Sequence, residues 1–194
     1  MLRWLRSTEL RSVACTIGLV LVTGGVFSGV ALGDQTAPEL PGLFEQLLDA
    51  RDDPEVQALE NEIWRHWLVA PDPISELLMS RISRAMAVEE LDVALRLCNQ
   101  LVESAPDFAE GWNRRATLHY LMGDFNSSVA DIGETLIREP RHFGAISGLG
   151  LIFMRQNKLE AALEVFEQVL IISPGSVSAS RNAERILKAL STEI

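Results

Sequence analysis

Cysteine and histidine are scarce in this sequence, with two and three residues respectively among 194. Cys15 lies within the first 33 residues, so a chain without that segment would keep only Cys98 and could form no internal disulfide. The three histidines, His66, His119 and His142, show no shared metal-ligand spacing. The sequence therefore offers neither a disulfide framework nor a metal motif, and we expect no cofactor.

Proline, glycine and basic residues are also limited. The chain has 8 prolines and 13 glycines and is 47% hydrophobic, so it is not a disordered chain. It has 17 Lys and Arg against 27 Asp and Glu, with a formal net charge of -10. Because such a chain is repelled by phosphate backbones and by anionic lipid surfaces, we expect no nucleic-acid partner and no binding to a membrane surface.

The N-terminus differs in composition from the rest of the chain. Arg3, Arg6 and Arg11 precede an uncharged stretch over 12–33 that ends in the small-residue site Ala31-Leu32-Gly33. A basic end, an apolar middle and a small-residue site are typical of a secretory signal peptide. We therefore predict that residues 1–33 are a signal peptide and that the mature chain is periplasmic or secreted.

An uncleaved membrane anchor is the alternative for the same segment. The 22 uncharged residues of 12–33 are enough to cross a bilayer as a helix. Gly24, Gly25 and Gly29 weaken that helix in its middle, which favours cleavage. If the segment is retained, the protein is single-pass membrane-anchored, and this segment is its only predicted contact with a membrane. A short linker is predicted at 34–41.

The rest of the chain repeats with a period of 34 residues. Pro106, Pro140 and Pro174 are spaced by this interval. In the unit 109–142, Trp112, Ala116 and His119 are the fourth, eighth and eleventh residues. The equivalent positions one period later hold Ile146, Gly150 and Phe153, and one period earlier, more faintly, Leu78, Ile82 and Ala85. An interval of this length is the signature of a stacked repeat architecture.

The spacing within a unit predicts a helical hairpin. Positions four, eight and eleven lie on one face of a helix, and positions twenty and twenty-four lie on one face of a second. A small residue at position eight opposite another at twenty, such as Ala116 and Ser128, allows the two helices to approach closely. Gly123-Asp124 separates the helices, and Pro140 ends the second. We expect Trp112 to be a core residue and Asp107 with Glu110 to form a capping box.

This pattern resembles that of the tetratricopeptide repeat, which has Trp-x2-Leu-Gly-x2-Tyr, then Ala-x3-Phe, then Pro. The resemblance implies an all-α fold, a right-handed α-solenoid of helix hairpins. Three units are assigned to 75–108, 109–142 and 143–176. The residues 42–74 form a degenerate N-terminal helix pair, and 177–194 a capping helix with a polar outer face.

Some positions depart from the pattern. Ile82 replaces the small residue at position eight of the first unit, so we expect that hairpin to be splayed or repacked. The first unit also has no glycine at its turn, Glu89-Glu90. Position seven is Arg81 in the first unit and Arg115 in the second, and a buried guanidinium needs a partner. Asp131 on the facing helix is the predicted partner of Arg115, in a structural salt bridge.

No catalytic set emerges from these residues, so we expect no enzyme activity. His119 lies in the aromatic slot at position eleven and is predicted to be a packing residue, and Cys98 fills a small hydrophobic slot at position twenty-four. His142 falls at a turn between units, where we expect it to be exposed. A cryptic hydrolase would need titratable residues converging in one cleft, and the sequence shows none.

The resemblance also implies a binding surface. In the family, the first helices line a concave groove with repeat positions two, five, six, nine, twelve and thirteen. The candidate peptide-binding residues are Met79, Ser83, Met86, Asn113, Arg114, Thr117, Tyr120, Leu121, Leu151, Met154 and Arg155. The alternative is that these side chains only close the stack against a neighbouring helix.

The functional hypothesis is an exported, non-enzymatic adaptor or scaffold that binds a peptide or helix of another protein in this groove. The alternative is a membrane-anchored envelope assembly factor that holds its partner at the membrane. Chaperone-binding members of the family grip a C-terminal carboxylate with Lys and Asn. The groove of these three units has no Lys, so that activity is not carried over. Neither the partner nor the oligomeric state follows from the sequence.

Overall fold

The computed structural model describes residues 34–192, and the predictions for 1–33 lie outside the described residues. Within that range the chain forms a short 3-10 helix, nine α-helices and no strand. The predicted all-α array of helix hairpins is therefore confirmed. The helices are α1 (Leu40–Asp49), α2 (Asp53–Trp67), α3 (Pro73–Ala87), α4 (Leu91–Ser104), α5 (Ala109–Leu121), α6 (Phe125–Arg138), α7 (Phe143–Arg155), α8 (Leu159–Ile172) and α9 (Val177–Thr192).

The helix boundaries reproduce the sequence period. The helices α5, α7 and α9 begin at Ala109, Phe143 and Val177, in steps of 34 residues. The second helices α4, α6 and α8 begin at Leu91, Phe125 and Leu159, again in steps of 34. The turn inside each hairpin also repeats, because the residues with positive φ are Glu89, Gly123 and Asn157, one in each unit.

Close approach of the paired helices depends on small residues. In the second unit the Ser128 hydroxyl donates a hydrogen bond of 2.8 Å to the backbone carbonyl of Ala116. In the third unit a Cβ added at Gly150 would lie 2.8 Å from the Phe166 ring. In the first unit Ile82 is fully buried, packed in one apolar cluster with Ala85 and Ala94. Glycine in α7 thus serves helix packing, while α3 keeps a larger residue in its core.

The helix α9 continues the series of first helices. Its buried residues are Ala179, Ala183 and Ile186. The equivalent residues of α7 are Ala145, Leu149 and Ile152, which are also buried. Because the same three positions are buried in both helices, α9 has the same rotation about its axis as α7. It is the first helix of a fourth unit.

The N-terminal hairpin α1–α2 does not extend the stack beyond α3. Its apolar residues, including Phe44 and Ile63, share one core cluster with residues of α7, α8 and α9. The Ser173 hydroxyl donates a hydrogen bond of 2.8 Å to the Glu60 carboxylate, and Val56 lies over Gly175. The hairpin therefore lies along the turns that join one unit to the next.

Residues 34–41 hold more structure than the predicted linker implies. A 3-10 helix spans Asp34–Thr36, and α1 begins at Leu40. Ala37 and Leu40 are buried, and the Gln35 amide donates a hydrogen bond to the backbone carbonyl of Asp107. This structure was not predictable from the local sequence, because the contact is with a distant turn.

Candidate functional site

The candidate binding surface lies on the first helices α3, α5, α7 and α9, and we call it the groove face. It comprises repeat positions two, five, six, nine, twelve and thirteen of each of these helices. Five predicted residues on it are exposed: Ser83, Thr117, Leu121, Leu151 and Arg155. Four are partly exposed: Met86, Arg114, Tyr120 and Met154. The open part of the face combines apolar, hydroxyl and cationic groups.

Two predicted binding residues are buried. Met79 belongs to the apolar cluster of α3 and α4, and Asn113 lies beneath the surface of α5. The Asn113 amide donates a hydrogen bond of 2.8 Å to Glu110. These side chains are only 8% and 9% exposed, so they offer little surface to a partner.

A buried polar cluster lies at the N-terminal end of α5. Glu110 is almost fully buried and accepts hydrogen bonds from Asn113 and from Arg114, each 2.8 Å long. His142 is also fully buried, and its Nε2 lies 3.4 Å from Oε2 of Glu110. Its Nδ1 accepts the backbone N–H of Ala145 at 3.1 Å, which leaves Nε2 as the ring nitrogen that faces Glu110. The cluster joins the second unit to the third.

The charge of Glu110 is set by this cluster. Burial on its own raises the pKa of a carboxyl group, and here it is the largest single influence. The contact with His142, the positive charge of Arg114 and the hydrogen bond from Asn113 together outweigh burial, so the pKa of Glu110 is lowered. The carboxylate is therefore charged at neutral pH and is a structural group.

The predicted exposure of His142 is wrong. The Trp67 indole stacks on its imidazole, and the Trp64 ring meets it edge-on, with centroids 5.2 Å apart. The predicted capping box is also wrong, because α5 has no side-chain cap and Glu110 turns inward. The error at His142 has a clear cause: Trp64 and Trp67 of α2 cover its turn, and a repeat pattern carries no information about a segment outside the repeats.

Trp112 is another correction, because it is only half-buried. Its Nε1 donates a hydrogen bond of 2.9 Å to the backbone carbonyl of Pro106. The guanidinium groups of Arg115 and Arg138 lie 4.9 and 4.7 Å from its ring centroid. These two cation contacts keep the indole near the surface. Trp112 therefore closes the junction between two units and is not a core residue.

The predicted salt bridge between Arg115 and Asp131 is confirmed. The guanidinium donates two hydrogen bonds of 2.8 Å to the carboxylate, from Nε to Oδ2 and from Nη2 to Oδ1. A third, from Nη1, reaches the Asn99 side chain on α4 at 3.0 Å. This bidentate pair raises the pKa of Arg115 and ties α5 to both of its neighbouring helices.

The groove face has a cationic end that the repeat pattern did not reveal. Repeat positions five, nine and twelve of α9 are Arg181, Arg185 and Lys188, and all three are exposed. As part of the predicted capping helix, they were expected on its polar outer face. The start of α9 one full period after α7 is the signal that identifies them as groove-face residues. The lysine absent from the first three units is thus supplied by the fourth.

The described residues give little support for metal binding or for nucleophilic catalysis. Between 34 and 192 no group of three His, Cys, Asp or Glu side chains is arranged to hold a metal ion. Cys98 is buried, as predicted, and burial raises its pKa to about 12, so it is a thiol and a poor nucleophile. No helix within this range has the length and apolar character needed to span a bilayer.

Comparison with known families identifies the same repeat that the sequence spacing indicates. The sequence pattern described as "Tetratricopeptide repeat" matches residues 113–177. A TPR repeat-containing protein of Rhizobium etli is 34% identical over 151 residues, covering 78% of this chain and 74% of that protein. The small glutamine-rich tetratricopeptide repeat-containing protein 2 of Saccharomyces cerevisiae is 28% identical over 98 residues, but this chain spans only 28% of its length.

Solved structures share the fold. The Sgt2 TPR domain of Aspergillus fumigatus superposes with a TM-score of 0.58 at 26% identity, covering 63% of this chain and 82% of that domain. The first TPR of Spaghetti (RPAP3), bound to an HSP90 peptide, superposes with a TM-score of 0.57 at 20% identity. That match covers 60% of this chain and 95% of the Spaghetti chain.

Proposed function

Because the chain belongs to the tetratricopeptide repeat family, we propose that it is a non-enzymatic adaptor that binds a segment of another protein on its groove face. The observation that carries the proposal is the exposure of apolar side chains on that face. Leu121 is 53% exposed and Leu151 is 37% exposed, and they occupy consecutive first helices. Exposed apolar residues grouped on one face are typical of a protein-interaction site.

The chemistry of the open face favours a polypeptide ligand. Leu121, Leu151 and the partly exposed Met154 offer apolar contacts, and Met adapts to differently shaped side chains. Thr117 and Ser83 offer hydroxyl groups for a peptide backbone. Arg155 and the three cations of α9 attract carboxylates. The fold is compatible with a peptide ligand, because the first TPR of Spaghetti was solved with one.

The buried polar cluster around Glu110 lies beneath part of the groove face and holds it in place. Asn113 is hydrogen-bonded to Glu110, His142 lies against Glu110, and Trp64 and Trp67 of α2 cover His142. A partner would therefore bind along the C-terminal halves of the first helices, where the hairpin leaves them open. This restricts the proposed site to Ser83, Met86, Thr117, Tyr120, Leu121, Leu151, Met154 and Arg155, with Arg185 and Lys188 at one end.

Single substitutions on exposed residues test the proposal. Leu121→Glu and Leu151→Glu each place a charge on the face without disturbing the core, so a partner that copurifies with the native chain should be lost. The matched control is Ile137→Glu on α6, because Ile137 is 68% exposed and lies on a second helix. Helicity should be the same in all three variants. If the partner is retained by both groove variants, the groove face is not the binding site.

Export is part of the proposal, on the basis of the basic, apolar and small-residue order of residues 1–33. The mature protein would act in the periplasm or outside the cell. The second possibility is that 1–33 is kept as a membrane anchor and the adaptor holds its partner at the membrane. Mass spectrometry of the N-terminus in native cells separates these two: a chain that starts at Asp34 supports export, and a retained Met1 or Leu2 supports anchoring.

A further inference from the structure

The outer face of α3 is a second exposed apolar surface, separate from the groove face. We define it by Ile74, Leu77, Arg81, Arg84 and Val88, which follow one another at helical spacing along one side of α3. All five are exposed, and Leu77 and Val88 are 58% and 61% exposed. None of them belongs to the binding residues discussed above.

The repeat register relates this face of α3 to surfaces that are buried in the later units. Leu77 and Arg84 are at repeat positions three and ten. In α5 these positions are Gly111 and Leu118, and in α7 they are Ala145 and Ile152, and all four are buried. In α5 the covering helix is α4, whose Leu101 lies 3.3 Å from the site of a Cβ at Gly111. The same positions of α3 have no such neighbour among residues 34–192.

One side of α9 is more polar. Three of the four residues at positions four, eight, eleven and fifteen of α9 are polar: Ser180, Glu184 and Ser191. The outer face of α3 has three exposed apolar residues, Ile74, Leu77 and Val88, beside Arg81 and Arg84. This contrast favours a surface that is covered in use over one that is permanently solvated.

Charge defines what would cover it. Arg115, the equivalent of Arg81 in the second unit, is neutralised by Asp131 on α6 and contacts Asn99 on α4. The residue equivalent to Asp131 in the first unit is Leu97, so α4 offers Arg81 no carboxylate. Neither Arg81 nor Arg84 forms an ion pair within the described part of the chain. An acidic group opposite Arg81 would therefore favour the binding of a covering helix.

We propose that the outer face of α3 binds an amphipathic helix of a partner protein, with apolar residues opposite Leu77 and Val88 and a carboxylate opposite Arg81. The helix would take the place that α4 occupies on α5. This site is separate from the groove face, so a negative result here would leave the function proposed above unaffected.

The helix α4 provides the design of a probe. A 14-residue peptide with the sequence of α4 would place its residue 99 opposite Arg81 and its residue 101 opposite Leu77. The probe therefore carries Asn99→Glu to pair with Arg81, Leu101→Ala to make room for Leu77, and Cys98→Ser. A hydrocarbon staple between positions 96 and 100 holds it helical, because isolated helices of this length are marginal in water. A matched control peptide carries Asn99→Lys.

Fluorescence anisotropy with the full chain is the test. The acidic peptide should bind on the order of tenfold more tightly than the lysine peptide, because like charges opposed in an interface are strongly unfavourable. Arg81→Glu should reverse this preference, and Leu77→Asp should weaken both peptides. Arg155→Glu, on the groove face, should change neither. Since the substituted side chains are exposed, the variants should unfold at the temperature of the native chain.

Each other outcome overturns the proposal. Absence of binding, equal binding of the two peptides, or the same weakening by Arg155→Glu would each do so. Light scattering after size exclusion should give a monomer. A dimer that Leu77→Asp dissociates would identify a second copy of this chain as the occupant instead of an acidic partner helix.

Discussion

The indole of Trp67 stacks on the imidazole of His142, with ring centroids 4.1 Å apart and planes 12° apart. This contact joins the last turn of α2 to the turn between the second and third units. Phe143 lies against the same indole at 4.9 Å. The N-terminal hairpin is therefore an integral part of the folded array, and its removal would expose the polar cluster at Glu110 to water.

Trp67→Ala should be more damaging than Trp112→Ala. Trp67 is fully buried, so its truncation should lower the free energy of unfolding by about 3–5 kcal/mol. Trp112 is half-buried, and truncating it should cost roughly 1–2 kcal/mol through loss of its packing and cation contacts. Urea denaturation followed by circular dichroism measures both. Equal losses, or a larger one at Trp112, would contradict the burial described here.

Glu110→Gln should destabilise the protein in a pH-dependent way. The pKa of Glu110 is lowered in the folded state, so its charge contributes stability above the unfolded pKa of about 4.3, and that contribution is lost as pH falls. The variant should be less stable by roughly 1–3 kcal/mol at pH 7, because it weakens buried contacts. The difference from the native chain should shrink below about pH 4.

The control for this prediction is Glu134→Gln. Glu134 pairs with Arg138 at 2.7 Å on α6, but its side chain is far more exposed than that of Glu110. The same change of charge should therefore cost less than about 1 kcal/mol at pH 7. A loss at Glu110 that stays constant from pH 7 to pH 3 would show that packing, and not charge, accounts for its effect.

Glu89→Gly should stabilise the first hairpin. Glu89 has φ of 59° at the turn position where the second unit has Gly123 at 81°. A side chain in this left-handed region costs about 1 kcal/mol, and glycine relieves that cost. Glycine also loses more freedom on folding, so we expect a net gain of about 0.5 kcal/mol in the free energy of unfolding. Thermal denaturation measures the gain.

Two related substitutions serve as controls for this turn. Asn157→Gly in the third unit should gain less, because asparagine tolerates positive φ better than glutamate does. Gly123→Ala should lose about 1 kcal/mol although a Cβ there meets no atom within 4 Å. If Gly123→Ala were harmless, the backbone explanation for Glu89 would also fail.

Gly144→Ala should loosen the N-terminal hairpin. A Cβ at this position would lie 2.5 Å from the Trp64 ring, so the indole has to move. Hydrogen exchange of the α2 amides should rise while that of α4 stays unchanged, because α4 lies in a different apolar cluster. Gly148→Ala on the same helix is the control, since its Cβ would meet only Ile132 at an ordinary 3.6 Å. Equal exchange in the two variants would contradict the docking of the hairpin through Trp64.

Local and periodic features of the molecule were predictable from the sequence, and long-range ones were not. The interval between prolines predicted the hairpins, and the charge at position seven predicted the Arg115–Asp131 pair. The burial of His142 depends on the stacked ring of Trp67, a residue of α2 that lies outside the repeats. Gly144 in α7 makes room for Trp64, and Gly175 makes room for Val56, but a glycine does not by itself identify the side chain that packs on it. The hairpin's position therefore has no sequence signature.

The residues of the groove face were partly predictable, because they occupy fixed positions in the repeat. Positions counted from the repeat gave Leu121, Leu151 and Arg155, which are exposed on the face. They also gave Asn113, which is buried and hydrogen-bonded to Glu110. The cations of α9 were missed because 177–194 was interpreted as a capping helix and not as a further first helix.

Alkylation of Cys98 can report how often the two helices of the first hairpin separate. The thiol is sealed between α3 and α4, so an alkylating reagent reaches it only when these helices part. Its labelling rate in the native protein therefore measures how often the unit that forms the free end of the array opens. A molecule that docks on that end and holds the helices together should slow the reaction.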